Sequence, residues 1–188
     1  MKTNFFIAVN LPKELKENLR KHQSYWPEIP AKWIDGKNLH LTLLFLGQLP
    51  DKKIEECKEI IKNITDQAKP LDLVIEEISY GPPNGYSFIW ANVKKTKELV
   101  ELRELLEEKI AKTKINDIKI EKEKNLPHIT LARINQMEFR QIDPEERPEI
   151  KEKININVKI GSIELMESIL KKTGSEYSVV ETFKLKNI

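Results

Sequence analysis

Residues 38–47 read NLHLTLLFLG, a run of leucines interrupted by one imidazole and one hydroxyl. Its density of branched apolar residues and its terminal glycine mark a buried strand. Side chains on a strand alternate between faces, so His40 and Thr42 share one face while Leu41 and Leu43 take the other. A single strand histidine is ordinarily a packed, hydrogen-bonded residue. Residues 126–133, LPHITLAR, repeat the pattern with His128 and Thr130 on one face and Ile129 and Leu131 on the other. The chain holds three histidines and eight threonines, and two of the three histidines have threonine at +2. Composition alone produces that coincidence about once in two hundred such chains, so the repeat points to a shared site.

Working outward, NFFIAVNL (4–11) reads as a buried first strand, and Pro12 opens a helix through about Tyr25 with Leu15 and Leu19 inward. The stretch 25–38 holds two prolines and a glycine and is expected as a loop anchored by Trp26 and Trp33. A helix is predicted over Asp51 to Gln67, followed by strands LDLVIEEISYG (71–81) and YSFIWANV (86–93) about a GPPNG turn. An amphipathic helix over Lys95 to Lys112 places Leu99, Leu102, Leu106 and Ile110 on one side. After the strand at His128 come a polar loop (134–153), one alternating strand over 153–168, and a last strand, EYSVVETFKL (176–185). Strands interleaved with helices, with at least one hairpin, predict an α+β protein of mainly antiparallel sheet. No linker is long or polar enough to divide residues 1–188, so two lobes in one folding unit are expected.

A formal net charge of +2, from 32 basic and 30 acidic residues, supplies no global footprint for nucleic acid, so any basic surface has to be local. The single cysteine, Cys57, excludes an intrachain disulfide and a cysteine-based zinc site, and its helical spacing with Ile54, Ile60, Ile61 and Ile64 reads as core. The apolar run Phe5–Val9 is too short for a signal segment and no stretch suits a bilayer, so a cytoplasmic protein without a membrane partner is expected. His22, in the polar RKHQS stretch, reads as a helix-end or solvated residue.

Two imidazoles and two hydroxyls around one small anionic group suit phosphodiester chemistry. With a pKa near about 6.5, a neutral imidazole takes a proton from water while an imidazolium protonates a leaving oxygen. Threonine hydroxyls donate to non-bridging phosphate oxygens as charge builds there. No HxH, HExxH or cysteine pair offers metal-ligand spacing, so neither metal nor cofactor is expected. Two other readings use the same residues: a module that grips RNA or phosphate without turnover, and a metal site of His40, His128 and a carboxylate such as Asp35. Trp33, Phe5 and Tyr86 are candidates for stacking beneath a base, with core packing as the alternative for each.

The tetrapeptides HLTL and HITL resemble the paired H-x-T-x signatures of the 2H phosphoesterase superfamily. The flanks FFIAVNLP, KWIDGKNLHLTLLFLGQLP and LPHITLAR resemble the RNA 2′,3′-cyclic phosphodiesterase branch, also called 2′-5′ RNA ligases. That resemblance implies a bilobal fold of pseudo-two-fold-related lobes, with sheets lining a central cleft and helices outside. It implies metal-independent hydrolysis of 2′,3′-cyclic phosphate ends of RNA or nucleotides to 2′-phosphomonoesters, by a monomer, and ATP-independent 2′-5′ joining. It further implies His40 as proton donor and His128 as acceptor, and places Arg133 near the substrate. Strict alternation from His128 puts Arg133 on the leucine face, so that placement requires the strand to end or bulge around Ala132.

Overall fold

Each strand forms where apolar residues alternate and each helix where a proline or a capping hydroxyl releases the chain. The computed structural model describes residues 3–83, 85–113, 126–171 and 174–186. Nine strands are placed: β1 (Thr3–Asn10), β2 (Ala31–Trp33), β3 (His40–Gly47), β4 (Leu71–Gly81), β5 (Phe88–Val93), β6 (His128–Ile134), β7 (Lys151–Ile160), β8 (Ser162–Lys171) and β9 (Gly174–Lys184). Four helices accompany them: α1 (Lys13–Lys21), α2 (Asp51–Thr65), α3 (Lys97–Ala111) and the single turn α4 (Gln136–Phe139). Pro12 and Pro50 sit at the N-caps of α1 and α2, where no backbone donor is needed. Thr96 caps α3 by accepting from the Leu99 amide. Asn84, in the predicted GPPNG turn, lies outside the described residues.

The strands form one antiparallel sheet in the order β7-β4-β5-β6-β3-β1-β8-β9, with β2 also paired to β6. Four strands stand on each side of the β6/β3 junction, which consists of one residue pair, Leu41 with Ile129. Beyond it β3 turns away and β2 takes over that edge of β6, pairing Trp33 with Ala132 and Ala31 with Ile134. The helices cover the leucine face, where Leu41, Leu43, Ile129 and Leu131 join Leu19, Ile61, Leu102 and Leu106 in the main core. The other face is left for the cleft, which is the division the alternation in NLHLTLLFLG predicts.

Three expectations need correction. The loop 25–38 contains strand β2 and a one-turn 3-10 helix at Gly36–Asn38, though Trp26 and Trp33 do pack against the core. The polar loop after β6 contains α4 and buries Phe139 and Ile150. The stretch read as one strand over 153–168 is two, broken at Gly161, and these belong to opposite halves of the sheet. Ile160 pairs with Leu71 on β4 while Ser162 pairs with Lys184 on β9. Two virtual bonds span at most about 7.6 Å, so the sheet curls until its two ends nearly meet at this corner.

Candidate active site

His40 and His128 each open a strand, and each is anchored in the same way. The Nδ1 of His40 lies 2.7 Å from the Asn38 carbonyl oxygen, and the Nδ1 of His128 lies 2.7 Å from that of Leu126. A carbonyl oxygen only accepts, so Nδ1 carries the hydrogen in both rings, and the neutral form presents a bare Nε2. Both rings line one cavity of about 1070 Å³, together with Thr42 and Thr130. Continued through the Leu41–Ile129 pair, the antiparallel register sets His40 against Thr130 and Thr42 against His128. Neither threonine hydroxyl is engaged by a protein partner among the described residues.

The rings differ in what they lie against. His128 stacks on Trp90 with centroids 3.7 Å apart and planes 14° from parallel. His40 meets Phe6 at 5.0 Å and Tyr177 at 5.2 Å, in tilted and edge-on contacts. Burial holds both pKa values below the ordinary imidazole value, opposed by the two carbonyl bonds. The Lys16 ammonium and the neighbouring His128 lower His40 further, and the Arg103 guanidinium lowers His128. At neutral pH the unliganded site is therefore a pair of neutral imidazoles.

Arg133 lines the same cavity, and a bulge puts it there. Thr130 pairs with Trp90 and Ala132 with Ile89, so Leu131 is an extra residue in β6. Everything after it changes face, and Arg133 reaches 5.6 Å from the Phe88 ring. The bulge thus falls one residue before the position around which alternation required it. β3 carries the same device: Thr42 pairs with Ala8 and Leu44 with Ile7, leaving Leu43 extra. As a result Phe45, five residues after His40, lines the cavity and is 70% exposed.

Sequence reasoning missed the site's aromatic residues, Phe6, Phe45, Phe88, Trp90 and Tyr177. Pairing of Trp90 with Thr130 and of Phe6 with Phe45 could have located two of them once the neighbouring strands were known. Of the three stacking candidates, Trp33 and Tyr86 do not line the cavity, and Phe5 touches it from the main core. Asp35 caps the 3-10 turn by accepting from the Lys37 amide and does not line the cavity. Cys57 is fully buried, and burial pushes its thiol up to about 11. His22 is buried rather than solvated, with Nδ1 3.1 Å from Glu152 of β7, and so ties the end of α1 to the helix-covered face of the sheet. Among the described residues, no group of three or more His, Cys, Asp or Glu could hold a metal ion, and no helix is long and apolar enough to cross a membrane.

Residues 11–171 match the family model of the 2′-5′ RNA ligase superfamily. Relatives named RNA 2′,3′-cyclic phosphodiesterase include one from Methanocaldococcus jannaschii, 25% identical over 178 residues, covering 94% of this chain and 97% of its own. Another, from Thermotoga maritima, is 25% identical over 181 residues, with 93% and 91% covered. Among solved structures, TT0787 of Thermus thermophilus superposes with a TM-score of 0.83 at 24% identity, over 97% of both chains. E. coli LigT complexed with 3′-AMP does so with a TM-score of 0.77 at 18% identity, over the full length of both. These two structures share the fold.

Proposed function

The chain belongs to the 2′-5′ RNA ligase superfamily, and we propose that it is an RNA 2′,3′-cyclic phosphodiesterase acting by two-histidine acid–base catalysis. The observation that carries this reading is the pair of imidazoles on one cavity, each fixed by a carbonyl two residues upstream with Nε2 left bare. The Nε2 of His128 takes a proton from water as its oxygen bonds to the cyclic phosphorus. The bond from phosphorus to the ribose 3′-oxygen breaks, His40 supplies that oxygen with a proton, and the 2′-phosphomonoester remains. With a 5′-hydroxyl in place of water, the same proton transfers join two RNA ends through a 2′-5′ bond.

Thr42 and Thr130 donate to the non-bridging oxygens, where charge rises most in the transition state. Arg133 supplies a cation beside them. An incoming phosphodiester raises the proton affinity of both buried rings, since a nearby anion favours imidazolium. His40 is thereby charged for its role as donor. Trp90 beneath His128 favours the imidazolium that forms when that ring accepts a proton. Both motifs stand in one chain, which supports residues 1–188 as one unit that completes its site as a monomer; we place its action on RNA ends in the cytoplasm.

The test is hydrolysis of a 2′,3′-cyclic-phosphate substrate in the presence of EDTA. Turnover is expected to survive chelation, and failure to form product would refute the reading. His40→Ala and His128→Ala should each lower turnover by about 10²–10⁴-fold while the fold persists. An activated leaving group should rescue His40→Ala selectively; rescue of His128→Ala instead would reverse the two assignments.

A further inference from the structure

On either side of the junction, the cleft face of the sheet is built from rows of paired residues, and the two sides differ in charge. From Thr130 one row runs through Trp90 and Ser79 to Lys151, with no acid in it. From His128 a second row runs through Asn92 and Glu77, its one carboxylate, to Lys153. Side chains directly opposite across antiparallel strands share a face, so both lysines stand on the face that carries the site. On the other side the rows from Thr42 and Phe45 are Thr42, Ala8, Glu164, Thr182 and Phe45, Phe6, Met166, Val179, and they contain no base. Their one ionisable group is a buried carboxylate, held by the Asn10 amide and the Ser162 hydroxyl. The row from His40 runs to Asn10 and, continued in register, to Ser162 and Lys184, one lysine against the two of β7.

Lys151 and Lys153 are exposed, and neither forms an ion pair among the described residues. Many lysines elsewhere are paired, as with Lys13–Glu17, Lys62–Asp66, Lys97–Glu101 and Lys112–Glu108. The lysines of β7 lie three strand spacings from β6, about 14 Å. A phosphodiester chain leaving the catalytic cavity over this wall meets Trp90, Asn92 and Ser79, passes the one carboxylate of Glu77, and then reaches the two ammonium groups. Over the other wall it meets mainly apolar side chains and a buried carboxylate, with a single lysine, Lys184, at the end of the His40 row.

We propose that the cleft face of β5, β4 and β7 is a backbone track, ending on Lys151 and Lys153, that holds the RNA upstream of its cyclic end. The inference rests on the proposed activity. It makes the preferred substrate an oligoribonucleotide rather than a cyclic mononucleotide. Lysines on an edge strand also block unwanted strand pairing, and a charge reversal preserves that function while abolishing phosphate attraction.

The experiment compares wild type with Lys151→Glu/Lys153→Glu on two substrates, an oligoribonucleotide ending in 2′,3′-cyclic phosphate and a 2′,3′-cyclic mononucleotide. For the oligomer kcat/KM should fall about tenfold or more at low salt, and its dependence on log[salt] should become shallower by roughly one per lysine. For the mononucleotide kcat/KM should stay within about twofold of wild type, because the track lies beyond its reach. Lys13→Glu/Lys21→Glu on α1 changes the net charge equally and should leave both substrates unaffected. Equal kcat/KM and salt slope for the two substrates in wild type would overturn the track, as would an equal loss in the α1 control. Fluorescence anisotropy of a labelled oligoribonucleotide ending in 2′-phosphate reads the track without turnover. If neither substrate is hydrolysed but the β7 variant still loses this binding, the track stands and the catalytic reading falls.

Discussion

Lys16 is the cation that acts on His40, as Arg103 is the one that acts on His128. The Lys16 ammonium holds the Asn10 side chain at 2.6 Å and the Lys37 carbonyl at 2.9 Å, and it lowers the pKa of His40. Because both rings of the free enzyme ionise below about 6.5, kcat/KM should peak on the acid side of that value. The kcat profile should lie at higher pH, since bound phosphate favours imidazolium. Burial causes most of the depression, but Lys16→Met removes the lysine's share of it from His40 alone, so if His40 is the acid only the alkaline limb of kcat/KM moves upward. Movement of the acid limb would make His40 the base. Stability follows with a definite sign. The unfolded chain binds protons near pH 6.5 that the folded one refuses, so Tm should fall as pH drops below that value, and replacing either histidine should flatten the slope. The histidines and threonines were legible in the sequence because their spacing matches the strand period. The ammonium beside His40 was not, because Lys16 arrives there through tertiary packing of α1.

At the scale of elements, β3 and β6 perform one task with one device. Each opens on its histidine, presents threonine two residues on, and inserts an extra leucine that switches the face of every later side chain in the strand. The alternation that located His40 and Thr42 therefore misplaces Phe45 and Arg133. A bulge leaves no mark in residue types, since Leu43 and Leu131 look like any buried strand position. The β4–β5 hairpin was legible from its turn, but the close approach of Gly81 to Trp90, which sets the ring under His128, was equally hidden. Trp90 lies so close to Gly81 that a Cβ there would stand 2.1 Å from its Cδ2. Gly81→Ala should cost about 1–3 kcal/mol by overpacking and should tilt Trp90 away from His128. Loss of that support is expected to lower kcat by up to about tenfold with KM little changed. Thermal unfolding and steady-state kinetics on one preparation check both parts; a destabilised variant with unaltered kcat would show that the stack does not position His128.

For the whole molecule, the order of strands was the least legible feature. Hairpin β4–β5 could be read from its turn, but nothing local in residues 153–168 shows that Gly161 hands the chain from one half of the sheet to the other. Long-range pairing decides it. One half, β4 to β7, is built from a continuous piece of sequence, residues 71–160, whereas the other joins β1 and β3 to β8 and β9. Truncation after Gly161 should leave the β1 edge open and remove Tyr177 and Met166 from beside Phe6. The shortened protein is expected to bind a hydrophobic dye and aggregate; a soluble monomer with native thermal unfolding would contradict this. The nested order also imposes a timetable on synthesis. On a ribosome the middle block can pair as it emerges, while the two N-terminal strands wait for residues 162–184 before their outer edge is covered. The wall around His40 is thus the last of the sheet to be finished, so a growing chain gains its cleft only after residues 162–184 have been made.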